Sequence, residues 1–507
     1  MRELARMEGL LHDWAPGDTS MSVQLVPADE HNQRTINQGH PPTWKNPPGG
    51  DYDLVVLGGG PAGLVAALTA AAGGHRVAMT EQRLTGGTCV NFGCTPSKAL
   101  IRCGRAAHEA RRGPAFGFRL GAPPEVDFAK VMERVRRIRS MSSALDAVQV
   151  VAGAGVVVYL GHTEFTKPNA VRVDGRELRF KKAVIATGSG PVAPRIDGLE
   201  DGEYLTNETV FSLTELPRRL LVLGGGPMGS ELAQAFRRLG SEVHLVMHGD
   251  NLLPKDVPEA GDVLRRKFER DGVRVHCGFR AVRAGNGRMT ARSQGETREL
   301  EYDVVLLAIG RKANVEDLGL EAAGVRVKDG GVEADANLLT TNPDVYAAGD
   351  VAFPEKYTHA AMATARLCVA NAFGANRPAR DLVIPHCTYT DPEVATVGFT
   401  PVLAAEEGIA LETHSLELSK VERAFIDGEE EGFAALYTRD GSDQIVGATL
   451  VAAHAGEMIS ELTLAIANKL EMKALAETVH CYPTQAEVFQ RIALEYASKT
   501  SRRPMAA

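Results

Sequence analysis

The sequence predicts an α/β fold with two Rossmann-like domains and a C-terminal α+β domain. The first observation is a pattern that occurs twice, in which a short apolar strand leads into a glycine-rich turn, a helix and a second strand. The turns are residues 58–63 (GGGPAG) and 224–229 (GGGPMG). The second observation is that strands and helices alternate from about residue 381 onwards without a further glycine-rich turn.

The first turn stands in the context that a dinucleotide-binding site needs. The apolar run 53–57 is typical of a buried parallel strand, residues 64–72 predict a helix, and the strand 76–81 ends in an acid. A helix N-terminus then faces a pyrophosphate, and a carboxylate accepts hydrogen bonds from a ribose. We interpret this as a dinucleotide site rather than a tight turn without ligand, with three glycines at the phosphates: Gly58, Gly60 and Gly63.

The same context surrounds the second turn. The strand 219–223 precedes it, and the helix 230–239 and the strand 242–247 follow. Two complete fingerprints indicate two dinucleotides in one chain, which is the arrangement for passing electrons from a nicotinamide to a flavin. The glycines of the second turn are Gly224, Gly226 and Gly229.

Two cysteines and a lysine follow the first fingerprint closely. Four residues separate Cys89 from Cys94, and Lys98 lies four residues after Cys94. One turn of loop or helix brings such sulfurs within disulfide distance, but so small a loop stabilises a large fold little. We therefore interpret the pair as one that opens and closes, against the alternative of a reduced structural pair.

Composition and charge argue against several classes of protein. The net charge of -8 does not favour nucleic acid or an anionic membrane as the main partner. No stretch approaches the ~18 apolar residues that cross a bilayer, and the N-terminus lacks the pattern of a secretory signal. We expect a cytoplasmic protein whose seven cysteines do not form a disulfide scaffold.

Further motifs give the chain a family resemblance. Apolar strands end in small residues at 186–188 (ATG) and 349–350 (GD), and a C-terminal segment reads HCYPTQAE at 480–487. With the two fingerprints and the cysteine motif, these features make residues 51–497 resemble the flavoprotein pyridine nucleotide-disulfide oxidoreductases. That family includes glutathione reductase, dihydrolipoamide dehydrogenase and mercuric reductase. The chain looks most similar to the mercuric reductase-like branch.

The resemblance implies a glutathione reductase-like fold in four segments. We expect an N-terminal extension without an assigned role at 1–50, an FAD-binding domain at 51–200 completed by 331–380, an NAD(P)-binding domain at 201–330, and a dimerisation domain at 381–507.

The resemblance also implies which residues hold FAD. The first fingerprint would bind its pyrophosphate, Glu81 would bind the adenosine ribose, and Asp350 would touch the ribityl or phosphate end. The alternative for Glu81 is a solvated acid at a strand end. Four further residues are expected at the cofactor: Gly87, Thr88, Lys98 and Gly188.

By the same resemblance, Cys94 lies against the flavin and Cys89 is the interchange thiol that faces the substrate. Lys98 would lie near the flavin N5, with Glu231 as its partner. A neighbouring cation and a helix N-terminus both lower the pKa of a thiol. Electrons would pass from the nicotinamide to FAD, then to the Cys89–Cys94 disulfide, and out through Cys89.

The C-terminal segment departs from the disulfide reductases, which carry a histidine–glutamate pair that protonates the leaving thiol. Here the pair is Tyr482 and Glu487. A tyrosine with a pKa of about 10 exchanges protons poorly at neutral pH. Mercuric reductases also place a tyrosine there, where a phenol contacts a thiolate-bound metal; the alternative role is packing at a dimer interface. His480 could substitute as the acid, and we expect Cys481 to be a buried small side chain rather than an extra thiol of the site.

Two features of mercuric reductases are missing. The sequence contains no N-terminal metal-carrier domain with a short Cys-x-x-Cys motif, and residues 501–507 lack the paired cysteines that hand over metal. We therefore expect a mercury role to be reduced or different, and we predict no resident metal site.

The end of the second fingerprint bears on the choice of nicotinamide coenzyme. An acid at this position selects NADH, but here Met247 is followed by His248. His248 stands where NADPH-using relatives place an arginine, and a histidine can bind a 2′-phosphate. We favour NADPH, with NADH as the alternative.

The leading hypothesis is an FAD-containing, NADPH-dependent dithiol oxidoreductase that reduces a thiophilic metal ion such as Hg(II) or a similar small acceptor. The resemblance implies a homodimer in which Tyr482 and Glu487 reach the Cys89–Cys94 site of the other chain. Two alternatives stay open, namely a dihydrolipoyl dehydrogenase or other disulfide reductase, and a thiol redox-sensing flavoprotein.

Overall fold

The structure is a computed structural model that describes residues 23–122, 124–200 and 202–500. The rest of the predicted N-terminal extension and residues 501–507 lie outside the described residues. The elements of the N-terminal part are, in chain order, α1 (Glu30–Gly39), β1 (Gly50–Leu57), α2 (Pro61–Ala72), β2 (Val77–Glu81), α3 (Gly87–Phe92), α4 (Cys94–Arg111), α5 (Phe128–Ser143), α6 (Val148–Gly153), β3 (Val156–Leu160), β4 (Thr163–Lys167), β5 (Ala170–Val173), β6 (Arg176–Ile185) and β7 (Ser189–Pro191).

The first sheet contains seven strands. Its order is β3-β2-β1-β6-β5-β4, and a later strand, Val345–Ala347, pairs with β6 in parallel. The last four residues of β1, 54–57, are buried on both faces, as expected for a parallel strand covered by helices. The C-terminal end of β1 leads directly into the first glycine-rich turn, which places that turn at the edge of the sheet where ligands bind.

The middle of the chain forms a second parallel sheet of five strands, in the order β11-β10-β9-β15-β8. A three-stranded antiparallel sheet, β12-β13-β14, packs on one face of it around a shared apolar cluster. The elements are β8 (Tyr204–Leu205), β9 (Arg219–Leu223), α7 (Pro227–Leu239), β10 (Glu242–Val246), α8 (Pro258–Asp271), β11 (Val273–His276), β12 (Arg280–Gly285), β13 (Arg288–Ser293), β14 (Glu296–Glu301), β15 (Val304–Leu307), β16 (Arg311–Ala313), β17 (Val327–Lys328), β18 (Gly331–Val332) and β19 (Val345–Ala347).

The C-terminal part combines an antiparallel sheet, β20-β21-β24-β23-β22, with helices on it. Its elements, and the helix before them, are α9 (Thr358–Ala372), β20 (His386–Thr388), β21 (Glu393–Gly398), α10 (Pro401–Glu406), β22 (Leu411–Glu417), α11 (Glu422–Asp427), β23 (Phe433–Arg439), β24 (Ile445–Ala452), α12 (Ala455–Ala467), α13 (Met472–Glu477) and α14 (Glu487–Thr500). Short 3-10 helices cover Gly113–Phe116, Val210–Ser212, Gly349–Val351, Ala379–Asp381 and Leu418–Lys420.

The predicted fold class is therefore confirmed, while the boundaries of the four predicted segments remain a prediction. The two Rossmann helices begin at Pro61 and Pro227, three residues earlier than predicted. The reason is that proline suits the first helical position, where its missing N–H costs no hydrogen bond. Across the described residues, every helix is too short or too polar to cross a bilayer.

One packing contact between the parallel-sheet domains determines the geometry of the site. A hydrophobic cluster joins Leu100 on α4 to Leu232 and Phe236 on α7. The helices approach closely, since a Cβ atom on Gly104 would lie 3.1 Å from the carbonyl oxygen of Ala235. This packing holds the helix that follows the cysteine pair against the helix that follows the second glycine-rich turn.

Candidate active site

The first glycine-rich turn leaves no room for side chains. Gly58 has a φ of 106°, and a Cβ atom there would lie 2.5 Å from the carbonyl oxygen of Ala186. A Cβ atom on Gly63 would lie 1.7 Å from the oxygen of Gly58, so the helix packs directly on the turn. A helix N-terminus such as this one presents backbone N–H groups that can bind an anion. These residues therefore fit the pyrophosphate of FAD.

Glu81 is buried at the end of β2 and contacts this turn. One carboxylate oxygen accepts a hydrogen bond from the N–H of Gly59 at 2.7 Å, and the other accepts one from the N–H of Arg83 at 2.6 Å. Burial raises the pKa of Glu81, although the two N–H donors oppose this effect. The carboxylate thus fixes the turn to the second strand, and its contact with a ribose stays a prediction.

Three further residues expected at FAD, namely Asp350, Gly188 and Thr88, lie in three separate segments of the chain. The Asp350 carboxylate accepts a hydrogen bond from the Ser189 hydroxyl at 2.5 Å and lies 3.6 Å from the Arg311 guanidinium. Gly188 precedes Ser189 and has a φ of 73°, and Thr88 lies in the first turn of α3. Asp350 is therefore held between the Ser189 hydroxyl and the Arg311 cation.

The two cysteines lie on two consecutive helices beside the first glycine-rich turn. Cys89 lies in α3, and Cys94 is the first residue of the 18-residue helix α4. The start of α3 packs on the turn, because a Cβ atom on Gly87 would lie 2.6 Å from the Cα atom of Gly60. The two cysteine side chains are close enough to interact with each other.

Cys94 is the sulfur that carries negative charge. The Cys89 hydrogen bond, the Lys98 cation and a hydroxyl of Thr358 together lower the pKa of Cys94 to about 6, although burial and the Glu231 carboxylate oppose them. The same hydrogen bond, together with burial, raises the pKa of Cys89. At neutral pH the pair therefore holds one proton on Cys89 and one thiolate on Cys94.

Thr358 is a functional residue that the sequence reasoning missed. Its Oγ1 atom lies 3.3 Å from the Cys94 Sγ atom. It is also the first residue of the 15-residue helix α9, so two helix N-termini meet at this sulfur. Their positive ends favour a thiolate. The segment around Thr358 carries no motif that would have marked it.

Lys98 and Glu231 come together across the domain contact. The Lys98 Nζ atom lies 2.7 Å from one Glu231 oxygen, and the other oxygen accepts a hydrogen bond from the N–H of Tyr389 at 2.9 Å. The Tyr389 ring lies 4.6 Å from Nζ. Burial is the largest single effect and acts to lower the pKa of Lys98, but the Glu231 carboxylate and the Cys94 sulfur together outweigh it, so the pKa is raised. The lysine therefore stays a cation beside Cys94.

The second glycine-rich turn leads to a cationic strand end. A Cβ atom on Gly224 would lie 2.3 Å from the oxygen of Ala308, so this turn also approaches its sheet closely. His248 is exposed just after β10, and the Arg280 guanidinium contacts its ring at 2.8 and 3.2 Å. Arg280 begins β12, outside the fingerprint, so sequence reasoning missed it. The residues here fit a nicotinamide dinucleotide.

The C-terminal residues lie apart from the cysteines within the chain. Tyr482 is 69% exposed and donates a hydrogen bond to Glu422, which raises the pKa of the phenol. Glu487 begins α14 and lies 3.7 Å from the guanidinium of Arg491. Within the described part of this chain, no hydrogen bond or ion pair joins Tyr482 or Glu487 to Cys89 or Cys94.

His480 and Cys481 differ from each other in burial. The His480 side chain is 7% exposed and lies 2.9 Å from the Glu461 carboxylate. Cys481 is exposed, so the expectation of a buried small side chain was wrong. Both residues lie in the irregular segment between α13 and α14.

Comparison with known proteins places the chain in a family. The model of the pyridine nucleotide-disulphide oxidoreductases matches residues 52–366, and that of their dimerisation domain matches residues 384–493. A mercuric reductase of Staphylococcus aureus is 33% identical over 459 residues, which cover 89% of this chain and 84% of the relative. A dihydrolipoyl dehydrogenase of Chlamydia muridarum is 33% identical over 452 residues, which cover 87% and 96%.

A solved structure has a similar fold. The crystal structure of LpdA from Mycobacterium tuberculosis has a TM-score of 0.79 at 28% identity, with 87% of this chain and 99% of the other covered. The expected family, the flavin and nicotinamide cofactors and the enzymatic nature of the protein are thereby confirmed, and the dimerisation domain supports a homodimer. The chain belongs to the pyridine nucleotide-disulphide oxidoreductases, enzymes that use FAD and NAD(P)H.

Proposed function

We propose that the protein is an NADPH-dependent dithiol oxidoreductase of the mercuric reductase-like kind, which delivers electrons through Cys89 and Cys94 to a thiophilic metal ion such as Hg(II). The observation that carries this proposal is Tyr482, which stands where disulfide reductases have a histidine. A mercuric reductase and a dihydrolipoyl dehydrogenase are both 33% identical to the chain, so identity alone favours neither acceptor.

The arrangement of the two thiols supports a reversible disulfide. FAD, when bound, supplies the transfer of two electrons from NADPH to the sulfur–sulfur bond. When that bond breaks, two electrons and one proton leave a thiol on Cys89 and a thiolate on Cys94, which is the state that the hydrogen bond and the pKa values favour. The Lys98 cation balances the new charge.

The chemistry of Tyr482 favours a metal ion over a disulfide as acceptor. Reducing a disulfide substrate requires a group that protonates the leaving thiolate at neutral pH. The Glu422 hydrogen bond raises the pKa of Tyr482, so this phenol keeps its proton. Reducing Hg(II) requires no such donor, because the ion takes up two electrons while the dithiol returns to the disulfide and releases one proton.

We further propose that the site is shared between two chains. Tyr482 and Glu487 would approach Cys89 and Cys94 of a second copy, because both belong to the domain that mediates dimerisation in this family. The exposure of Val479 (91%) and Tyr482 (69%) supports this, since a partner would cover these large side chains. Tyr482 would then face the partner's dithiol.

The environment of His248 supports NADPH as the coenzyme. A 2′-phosphate at the end of β10 would meet His248 and the guanidinium of Arg280 together. Within the fingerprint itself, Met247 takes the position of the acid that selects NADH. The charge at this strand end is therefore positive, as a phosphate requires.

An acceptor panel tests the proposal. The holoenzyme is given NADPH anaerobically with Hg(II), lipoamide or glutathione disulfide, and the oxidation of NADPH is followed. We expect turnover with Hg(II) and little with the two disulfides. The variant Tyr482→His should gain disulfide turnover, with Tyr496→His as the matched control that does not. Substantial lipoamide turnover by the unmodified enzyme would identify it as a dihydrolipoyl dehydrogenase instead.

A further inference from the structure

The N-terminal segment, residues 23–49, lies outside the part of the chain that matches the family and packs behind the cysteine pair. Its helix α1 buries one face, formed by His31, Asn32, Thr35 and Gly39. The neighbour of this face is α5, and Asp29 at the start of α1 pairs with Arg136 on α5. The segment is thus an integral part of the structure around the dithiol.

A buried arginine connects this segment to the helix that carries Cys89. Arg139 on α5 is only 2% exposed, and its guanidinium donates hydrogen bonds to the Asn32 side chain and, at 3.1 Å, to the carbonyl oxygen of Asn91. Burial lowers the pKa of Arg139 to about 10, which still leaves it charged at neutral pH. Its hydrogen bonds to both neighbours are therefore charge-assisted.

Asn91 connects Arg139 to the start of α3 through hydrogen bonds of its side chain. It lies two residues after Cys89, and its side-chain amide donates to the carbonyl oxygens of Thr85 at 3.0 Å and Gly87 at 2.9 Å. The chain Asn32–Arg139–Asn91 therefore ends on the backbone of the helix that holds the interchange thiol. α3 has only six residues, so it depends on such tertiary contacts for its stability.

An apolar contact holds the same helix from its other side. Leu25 of the N-terminal segment forms a small core with Leu84, just before α3, and Phe92, its last residue, and Ile36 packs against this core. The carbonyl oxygen of Gly39 also accepts a hydrogen bond from the N–H of Thr85 at 3.1 Å. Phe92 at the end of α3, and Leu84 and Thr85 just before its start, are thus in contact with residues 23–49.

We propose that the N-terminal segment is a positioning element of the dithiol, in which Asn32 and Arg139 fix the Cys89 helix relative to Cys94. This inference rests on the proposed function of the two cysteines. Asn32 and Arg139 touch neither sulfur, and they act through the backbone of α3. When the Asn32 contact is lost, α3 shifts more freely and Cys89 donates its hydrogen bond to Cys94 less often. The Cys94 thiolate is then less stable.

Alkylation of the reduced holoenzyme tests this inference. The rate at which iodoacetamide modifies Cys94 is resolved by mass spectrometry across a pH series. We expect Asn32→Ala to raise the apparent pKa of Cys94, with about tenfold less thiolate at a pH below both values. Asn37→Ala is the matched control, because Asn37 lies on the exposed face of the same helix.

A second variant covers the case in which Asn32→Ala does not fold. Ile36→Ala removes apolar atoms that pack against the same core and should also raise the apparent pKa of Cys94. The inference is overturned if the apparent pKa of Cys94 in Asn32→Ala or Ile36→Ala equals that of the unmodified enzyme. It is also overturned if Asn37→Ala raises this pKa by the same amount. A failure of the proposed function looks different, because it would appear in the acceptor panel as turnover with lipoamide, while the pH profile of Cys94 alkylation in the unmodified enzyme and its variants would stay the same.

Discussion

Replacing Arg280 by alanine gives a direct test of coenzyme recognition. The guanidinium contacts the His248 ring at 2.8 and 3.2 Å, so Arg280 and His248 form one subsite at the end of β10. NADPH and NADH differ only by the 2′-phosphate, and we expect Arg280→Ala to weaken the use of NADPH alone. The reason is that the variant removes a charge-assisted hydrogen bond to the phosphate.

The size of the effect follows from the exposure of the subsite. A hydrogen bond to a charged group contributes about 1.5–3 kcal/mol, and both residues are exposed, so solvent and salt place this one at the low end. Because about 1.4 kcal/mol corresponds to a factor of ten, kcat/KM for NADPH should fall about tenfold. The loss should appear mainly in KM, since the phosphate takes no part in the chemical step.

Steady-state kinetics with both coenzymes provide the assay. kcat/KM for NADH should change less than about twofold in Arg280→Ala. Arg283→Ala is the matched control, because Arg283 lies exposed on the same strand and pairs with Asp197 instead of His248. Equal losses with NADPH and NADH, or no loss with either, would refute the assignment of Arg280 to the 2′-phosphate.

Three further predictions concern the thiolate and its lysine. Thr358→Val keeps the side-chain shape but removes the hydroxyl 3.3 Å from Cys94, so the pKa of Cys94 should rise, as measured by alkylation across pH. Glu231→Gln leaves Lys98 without its carboxylate, and the free energy of unfolding in urea should fall by about 2 kcal/mol, since Lys98 is partly exposed. Turnover should decline as the pH falls through about 6, because Cys94 is then protonated; a rate independent of pH in this range would contradict the assigned thiolate.

The sequence predicted the parts of the site that are local in the chain. Both glycine-rich turns and the spacing of Cys89, Cys94 and Lys98 are short motifs, each determined by the backbone conformation that it has to adopt. The resemblance to a family added Glu231, which lies far from Lys98 in the sequence but 2.7 Å from it in the fold.

Residues outside motifs could not be predicted in this way. Thr358 and Arg280 reach the site only because distant segments pack together, and neither is part of a pattern with a fixed spacing. The same holds for Asn32 and Arg139, whose contact depends on how α1 packs against α5. Cys481 was expected to be buried by its residue type alone, but it is exposed in the irregular segment between α13 and α14.

The central claim is that electrons leave through a reversible Cys89–Cys94 disulfide. The most direct measurement is an anaerobic titration of the oxidised holoenzyme with NADPH, in which the equivalents taken up per FAD are counted for the unmodified enzyme and for Cys89→Ser. The account predicts that the unmodified enzyme takes up one equivalent more than the variant, because its disulfide accepts a second pair of electrons. Equal uptake by both proteins would contradict it.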